Sequence, residues 1–194
     1  EDYLVELSAM SIFPITVLPH HVDVLRAKAN QIRKADRSTR GLVENMIDSM
    51  YAASGVGLAA PQIGISLRVV VIGIPGESPF ALINPEIVRS VGERLVTEGC
   101  LSVPGYRAEI VRSVRVVVKA RDITGREVRI RAENDLLAQV LEHEINHING
   151  VLYIDHIQDP GHLQPISADF DRDPNSGFVT EFCSEEDDRA VHGD

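Results

Sequence analysis

Apolar positions recur along this chain with two different periods. Over residues 38–53, Leu42, Val43, Met46, Ile47 and Met50 follow at intervals of three and four, the spacing of one helix face. Ser38 or Thr39 stands where an N-cap belongs, and Ser54-Gly55 ends the segment. Gly55, Gly57, Pro61 and Gly64 then make the next stretch a series of tight turns. Segments 67–74, 80–91, 94–103, 106–121 and 127–131 are rich in Val and Ile, often alternate, and are separated by pairs such as Pro75-Gly76, Pro104-Gly105 and Thr124-Gly125. They read as strands of a largely antiparallel sheet. Helical spacing returns over 136–148, with Asn134 or Asp135 as N-cap and Asn149-Gly150 as the stop.

The two ends lack such periodicity. Residues 1–36 hold apolar patches (Ile12, Phe13, Ile15, Val17, Leu18) broken by Pro14 and Pro19, with one helical turn expected over 24–29. Beyond Asp155 no period survives, and residues 185–188 are four consecutive acids. The expectation is an α+β fold in which a largely antiparallel sheet packs around a central helix. Residues 1–155 would form one domain, and 156–194 an acidic, loosely ordered C-terminal tail.

Composition changes this picture in three ways. The chain has 194 residues and a net charge of -10, of which residues 155–194 carry -9 with eleven acids and two arginines. A near-neutral body with an acidic tail lacks the cationic surface that phosphates need, so no direct nucleic-acid binding is expected. The longest aliphatic stretch, residues 69–74, is far below the roughly 20 residues that span a bilayer, so no membrane partner is expected either. Cys100 and Cys183 could make at most one disulfide, which favours a reducing compartment and leaves Cys100 free for other chemistry. A bacterial cytoplasmic location is expected; since the chain opens on Glu1, an organelle with a removed targeting peptide stays open beside it.

His143-Glu144-Ile145-Asn146-His147 places two histidines four residues apart in the second helix, where their rings share one side and can converge on a metal ion. Val140 and Leu136 continue that stripe, so the ligand face is also the buried face. A catalytic site of this kind takes three protein ligands and leaves one position open. Two protease patterns supply the third ligand downstream. In one, Tyr153 stands where a histidine is needed; in the other, only Glu181 and the cluster from Glu185 are available. Upstream, Cys100 lies on an expected strand, and its sulfur suits zinc or ferrous iron.

Taken together, Gly55-Val56-Gly57-Leu58-Ala59-Ala60-Pro61-Gln62, Glu98-Gly99-Cys100-Leu101-Ser102 and the histidine motif resemble the three ordered motifs of the peptide deformylase family, over about residues 12–155. Three departures stand out: His21-Val22-Asp23 replaces a Gly-Asp-Pro segment, Asn146 replaces the more usual Asp, and an acidic tail replaces a basic helix. The resemblance implies removal of the formyl group from N-terminal formyl-methionine of nascent polypeptides, with release of formate. It implies one divalent ion per chain held by Cys100, His143 and His147, with Fe2+ first and Zn2+, Ni2+ or Co2+ as alternatives. Glu144 would be the acid/base, and the Gln62 side chain and Leu101 backbone N–H the donors to the oxyanion. Gly55, Val56, Gly57, Gly99 and Arg107 would contact substrate, with Glu98 lining the pocket or pairing with an arginine. The implied partners are formyl-methionyl nascent peptides, with transient proximity to the ribosome.

Two other functions use the same residues: a zinc endopeptidase with a downstream ligand, and a non-catalytic metal or binding site. His20, His21, His156, His162 and His192 are expected at the surface, and Cys183 as a bystander.

Overall fold

The computed structural model describes residues 12–20, 22–157 and 159–166. Helix α1 (Val22–Arg26) and helix α2 (Arg37–Ala52) precede strands β1 (Gly57–Ala59), β2 (Val69–Ile72), β3 (Phe80–Val91), β4 (Arg94–Cys100), β5 (Val103–Arg112), β6 (Arg115–Arg121) and β7 (Glu127–Glu133). Helix α3 (Leu136–His147) and strand β8 (Gln164–Pro165) follow. The strands form a five-stranded sheet ordered β1-β2-β3-β6-β7 and a three-stranded sheet ordered β4-β5-β8. All these pairings are antiparallel.

The expected α+β class holds, with three corrections to its elements. Residues 106–121 do not form one strand: β5 ends at Arg112, β6 starts at Arg115, and the two belong to different sheets. Ser113 makes the break, giving its N–H and hydroxyl to the Glu142 carboxylate on α3 at 3.0 and 2.9 Å, while Val114 O accepts from Asn134 N. The first helical turn lies at Val22–Arg26 rather than over 24–29. Helix α2 is capped by Asp36 rather than Ser38 or Thr39; its carboxylate accepts from Thr39 N at 3.0 Å and Thr39 closes the capping box.

Strand β2 is Val-Val-Val-Ile and wholly buried, because both faces of the five-stranded sheet are covered. Val70 and Ile72 pack with Leu82, Val116 and Val118 against Ala138, Leu141, Ile145 and Ile148 around α3. Val69 and Val71 face the other way, toward Val43, Met46 and Met50 of α2. Each such fully buried aliphatic side chain contributes about 1.5–3 kcal/mol. Both ends of α3 are fixed. Asp135 accepts from Ala138 N at 2.7 Å at the start, and at the finish Arg68 Nη1 donates to Ile148 O at 3.1 Å and to Asn149 Oδ1 at 2.8 Å.

The chain continues past residue 155. A short 3-10 turn at Pro160–His162 leads into β8, whose Gln164 and Pro165 pair with Arg107 and Tyr106. Residues 167–194 of the expected tail, together with Cys183, Glu181, Glu185, His21 and His192, lie outside the described residues. Within them, no helix is long and apolar enough to cross a membrane.

Candidate metal centre

Strand β4 and helix α3 meet at one point. Cys100, at the end of β4, and His143 and His147, one helical turn apart, are exposed by only 3, 2 and 1 %. His147 Nε2 lies 3.2 Å from Cys100 Sγ and 3.2 Å from His143 Nε2. Donors around a tetrahedral ion with metal–ligand bonds of about 2.0–2.3 Å stand about 3.3–3.5 Å apart, which the two spacings from His147 approach, and all three atoms lie within 4.8 Å of one another. Their chemistry, one sulfur and two imidazole nitrogens, suits zinc or ferrous iron. Among the described residues no fourth His, Cys, Asp or Glu joins the group.

The surroundings orient these donors. His143 Nδ1 and Glu98 Oε2 are 2.8 Å apart, which turns Nε2 toward the cluster. Glu98, fully buried, is held by Arg112 through Nε at 2.7 Å and Nη2 at 2.8 Å. Burial by itself raises the Glu98 pKa, but the Arg112 and His143 contacts outweigh it and bring it to about 2. Burial likewise pulls His143 down, yet its contacts with Cys100 and Glu98 leave it well above the usual histidine range. His147, buried beside His143 and without its own carboxylate contact, is driven well below that range. Arg112 extends the chain outward. Its Nη1 lies 3.5 Å from His156 Nε2, which Asn146 Nδ2 approaches at 2.9 Å. His156 is at the surface as expected, and Asn146 is one of its partners.

Glu144 points from the same helix into the site and is 1 % exposed. Its Oε2 has no protein partner, and burial pushes its pKa up to about 7. Such a carboxyl can take and return a proton near neutrality. The reason for Gly57 is visible here: a Cβ on this β1 residue would stand 2.8 Å from Val140 Cγ1 and 2.9 Å from Glu144 Cδ, with Glu144 Oε1 closer still. Only a glycine lets β1 pass that close to α3.

Gln62 lies in the 3-10 turn Ala60–Ile63, buried, with Oε1 accepting from Ala59 N at 2.8 Å and Nε2 3.7 Å from Cys100 Sγ. Leu101 follows Cys100 in the turn between β4 and β5; a Cβ on Gly55 would meet its Cδ1 at 3.0 Å. Val56 is half-buried, and its carbonyl accepts from Gly73 N at 2.9 Å. Gly99 is buried in β4 directly opposite the half-buried Arg107 of β5. Strand β1 is an edge of its sheet, and so is β4. The structure thus brings Gln62 and the metal donors together, and sets the Gly55–Gly57 and Gly99 backbones on the two edge strands or next to them.

Sequence reasoning gave Arg112 and Ser102 no role. Ser102 was part of the recognised Glu98–Ser102 motif, and this placement was the available signal. For Arg112 there was no local signal, because its partner sits fourteen residues away across the hairpin. Tyr153 takes no ligand position: it is buried, donates to Tyr106 O at 3.1 Å and stacks 6.4 Å from the His143 ring. Among the described residues the third donor comes from upstream, and the protease arrangement that needs a ligand at position 153 fails at this point.

A buried, three-donor centre beside a proton-carrying glutamate is the equipment of a metal-dependent hydrolase. Residues 12–162 match the polypeptide deformylase family. The chain is 46% identical over 161 residues to a peptide deformylase of Dehalococcoides mccartyi, covering 82% of this chain and 95% of that one. It is also similar to the crystal structure of a peptide deformylase from Legionella pneumophila, with TM-score 0.73, 45% identity and coverage of 78% and 89%. A Met-Ala-Ser-bound peptide deformylase from Acinetobacter baumannii matches with TM-score 0.72 and 28% identity, over 77% of this chain and 100% of that one. This chain belongs to the peptide deformylase family.

Proposed function

We propose that Cys100, His143 and His147 hold one divalent ion, Fe2+ in the cell, and that Glu144, Gln62 and Leu101 work around it. The reaction is hydrolysis of the formyl amide on the N-terminal methionine of nascent polypeptides, releasing formate. When bound, the ion supplies Lewis acidity that makes water nucleophilic near neutral pH. The observation that carries the reading is the convergence of three buried donors beside the unpartnered Glu144 Oε2.

Glu144 accepts the proton of the attacking water and delivers it to the departing amine, a double duty suited to a carboxyl whose pKa lies at about 7. The Gln62 Nε2–H and the Leu101 N–H donate to the formyl oxygen as it gains charge; one such donor is worth about 3 kcal/mol of barrier. The peptide lies extended between β1 and β4, where Val56 and Gly99 offer backbone groups and Gly55 and Gly57 leave room for it. Arg107 meets the peptide further along. Binding mainly through backbone keeps the enzyme indifferent to most residues after methionine. The enzyme works in the cytoplasm, close to ribosomes but with no nucleic-acid contact of its own, since residues 155–194 carry eleven acids against two arginines.

Formate release from formyl-Met-Ala-Ser tests the reading, beside a Glu144→Gln variant checked for metal. Release by the wild type and loss of at least about a hundredfold in the metal-loaded variant are expected. A loaded wild type that releases no formate overturns the reading.

A further inference from the structure

We infer that Ser102 is a positioning residue that aims the Gln62 amide, an inference that rests on the deformylase reading above. Gln62 Oε1 faces Ala59 N at 2.8 Å. A backbone N–H can only donate, so the atom opposite it must be the oxygen, and the NH2 end is thereby directed to the metal side. There Nε2 finds two acceptors, Ser102 Oγ at 3.4 Å and Cys100 Sγ at 3.7 Å. An amide nitrogen carries two N–H bonds about 120° apart in one plane. With one directed at Ser102, the direction of the other is fixed toward the Cys100 side, and it is the one the substrate oxygen would take in place of the long 3.7 Å contact to Sγ.

Ser102 is well placed to hold still. It is completely buried, its N–H donates to Cys100 Sγ at 3.4 Å, and its carbonyl accepts from Leu18 N at 2.9 Å. Both main-chain groups are therefore tied, one to the metal ligand and one to the N-terminal segment, and the hydroxyl is left to face Gln62. Removing only the hydroxyl leaves the thiol contact intact and lets the amide plane turn about its last torsion. The ground state loses little by this. The cost falls where charge develops on the formyl oxygen, hence on kcat rather than KM.

The test is a double-mutant cycle on the Co2+-loaded protein with Ser102→Ala, Gln62→Ala and the pair, read by formate release, melting temperature and the visible bands of cobalt. Ser102→Ala should lower kcat about tenfold, with KM within twofold and a melting temperature close to wild type. The cobalt bands should not move, because the Ser102 N–H still reaches the sulfur. In the Gln62→Ala background the serine substitution should have no further effect on kcat. An equal loss in both backgrounds, an unchanged kcat in the single variant, or displaced cobalt bands would each overturn the inference. A wild type that releases no formate would remove the deformylase reading and this inference with it.

Discussion

Gly57 offers the sharpest check on the geometry, because the residue has no side chain and its effect must come from what a side chain would strike. In Gly57→Ala the new Cβ would lie 2.9 Å from Glu144 Cδ and 2.8 Å from Val140 Cγ1, whereas ordinary contact begins near 3.4 Å. The carboxyl carbon must then retreat by about half an ångström, and its Oε1 by more, inside a fully buried pocket. Overpacking of this size costs about 1–3 kcal/mol, and for a domain of this length each kcal/mol is worth about 2–4 °C of melting temperature. A displacement approaching 1 Å at a reacting group costs about a hundredfold in rate, so kcat should fall between about ten- and a hundredfold. The assay is formate release from formyl-Met-Ala-Ser at saturating peptide, with metal per chain measured on the same sample. Gly41→Ala is the control: its Cβ would meet nothing within 4 Å inside α2, so it should stabilise by about 0.5–1 kcal/mol and leave kcat alone. A loaded Gly57→Ala enzyme with kcat within threefold of wild type would refute the account of why this position is glycine.

Other outcomes follow from the same contacts. Arg112→Met leaves the buried Glu98 carboxylate without its cation and should destabilise the protein at neutral pH by about 3–5 kcal/mol in urea titrations. The folded-state pKa of Glu98, about 2, lies below its ordinary 4.5, so this stabilisation is complete above about pH 4.5 and disappears as the pH falls toward 2. That difference is worth about 3 kcal/mol; the Arg112→Met variant should show a much flatter acid limb, and equal slopes for the two proteins would contradict the assignment. Asp135→Ala removes the cap of α3 and should cost about 1 kcal/mol by thermal melting, restored largely by Asn. Leu141→Ala, emptying a fully buried site between α3 and the sheet, should cost about 2–5 kcal/mol.

Much of this architecture was legible from periodicity, and the exceptions share a cause. Helix α3 and its ligand pair could be read directly because the histidine spacing, the apolar stripe and the Asp135 and Asn149-Gly150 signals agree over a dozen residues. Cys100 was reachable because its motif stands on an alternating strand. The division between β5 and β6 was not, since Val and Ile run on both sides of Ser113-Val114 and the break is made by Glu142, twenty-nine residues later. Arg112 escaped notice for the same reason: a charge on an alternating strand looks solvated until the fold turns it inward against Glu98. The Asp36 cap was missed for a local reason, because the apolar period begins only at Leu42 and hides the polar first turn.

The donors of the metal centre also carry a consequence for biogenesis. Cys100 leaves the ribosome some forty residues before His143 and forty-seven before His147, on a hairpin that owns just one of the three metal-binding atoms. A chain stalled before α3 therefore presents a lone thiol and no chelate, and the ion can be captured only once α3 has docked against the sheet. An enzyme that trims newborn proteins is thus itself inert until α3 has been made and has folded, and cotranslational metal uptake would mark the moment when it matures.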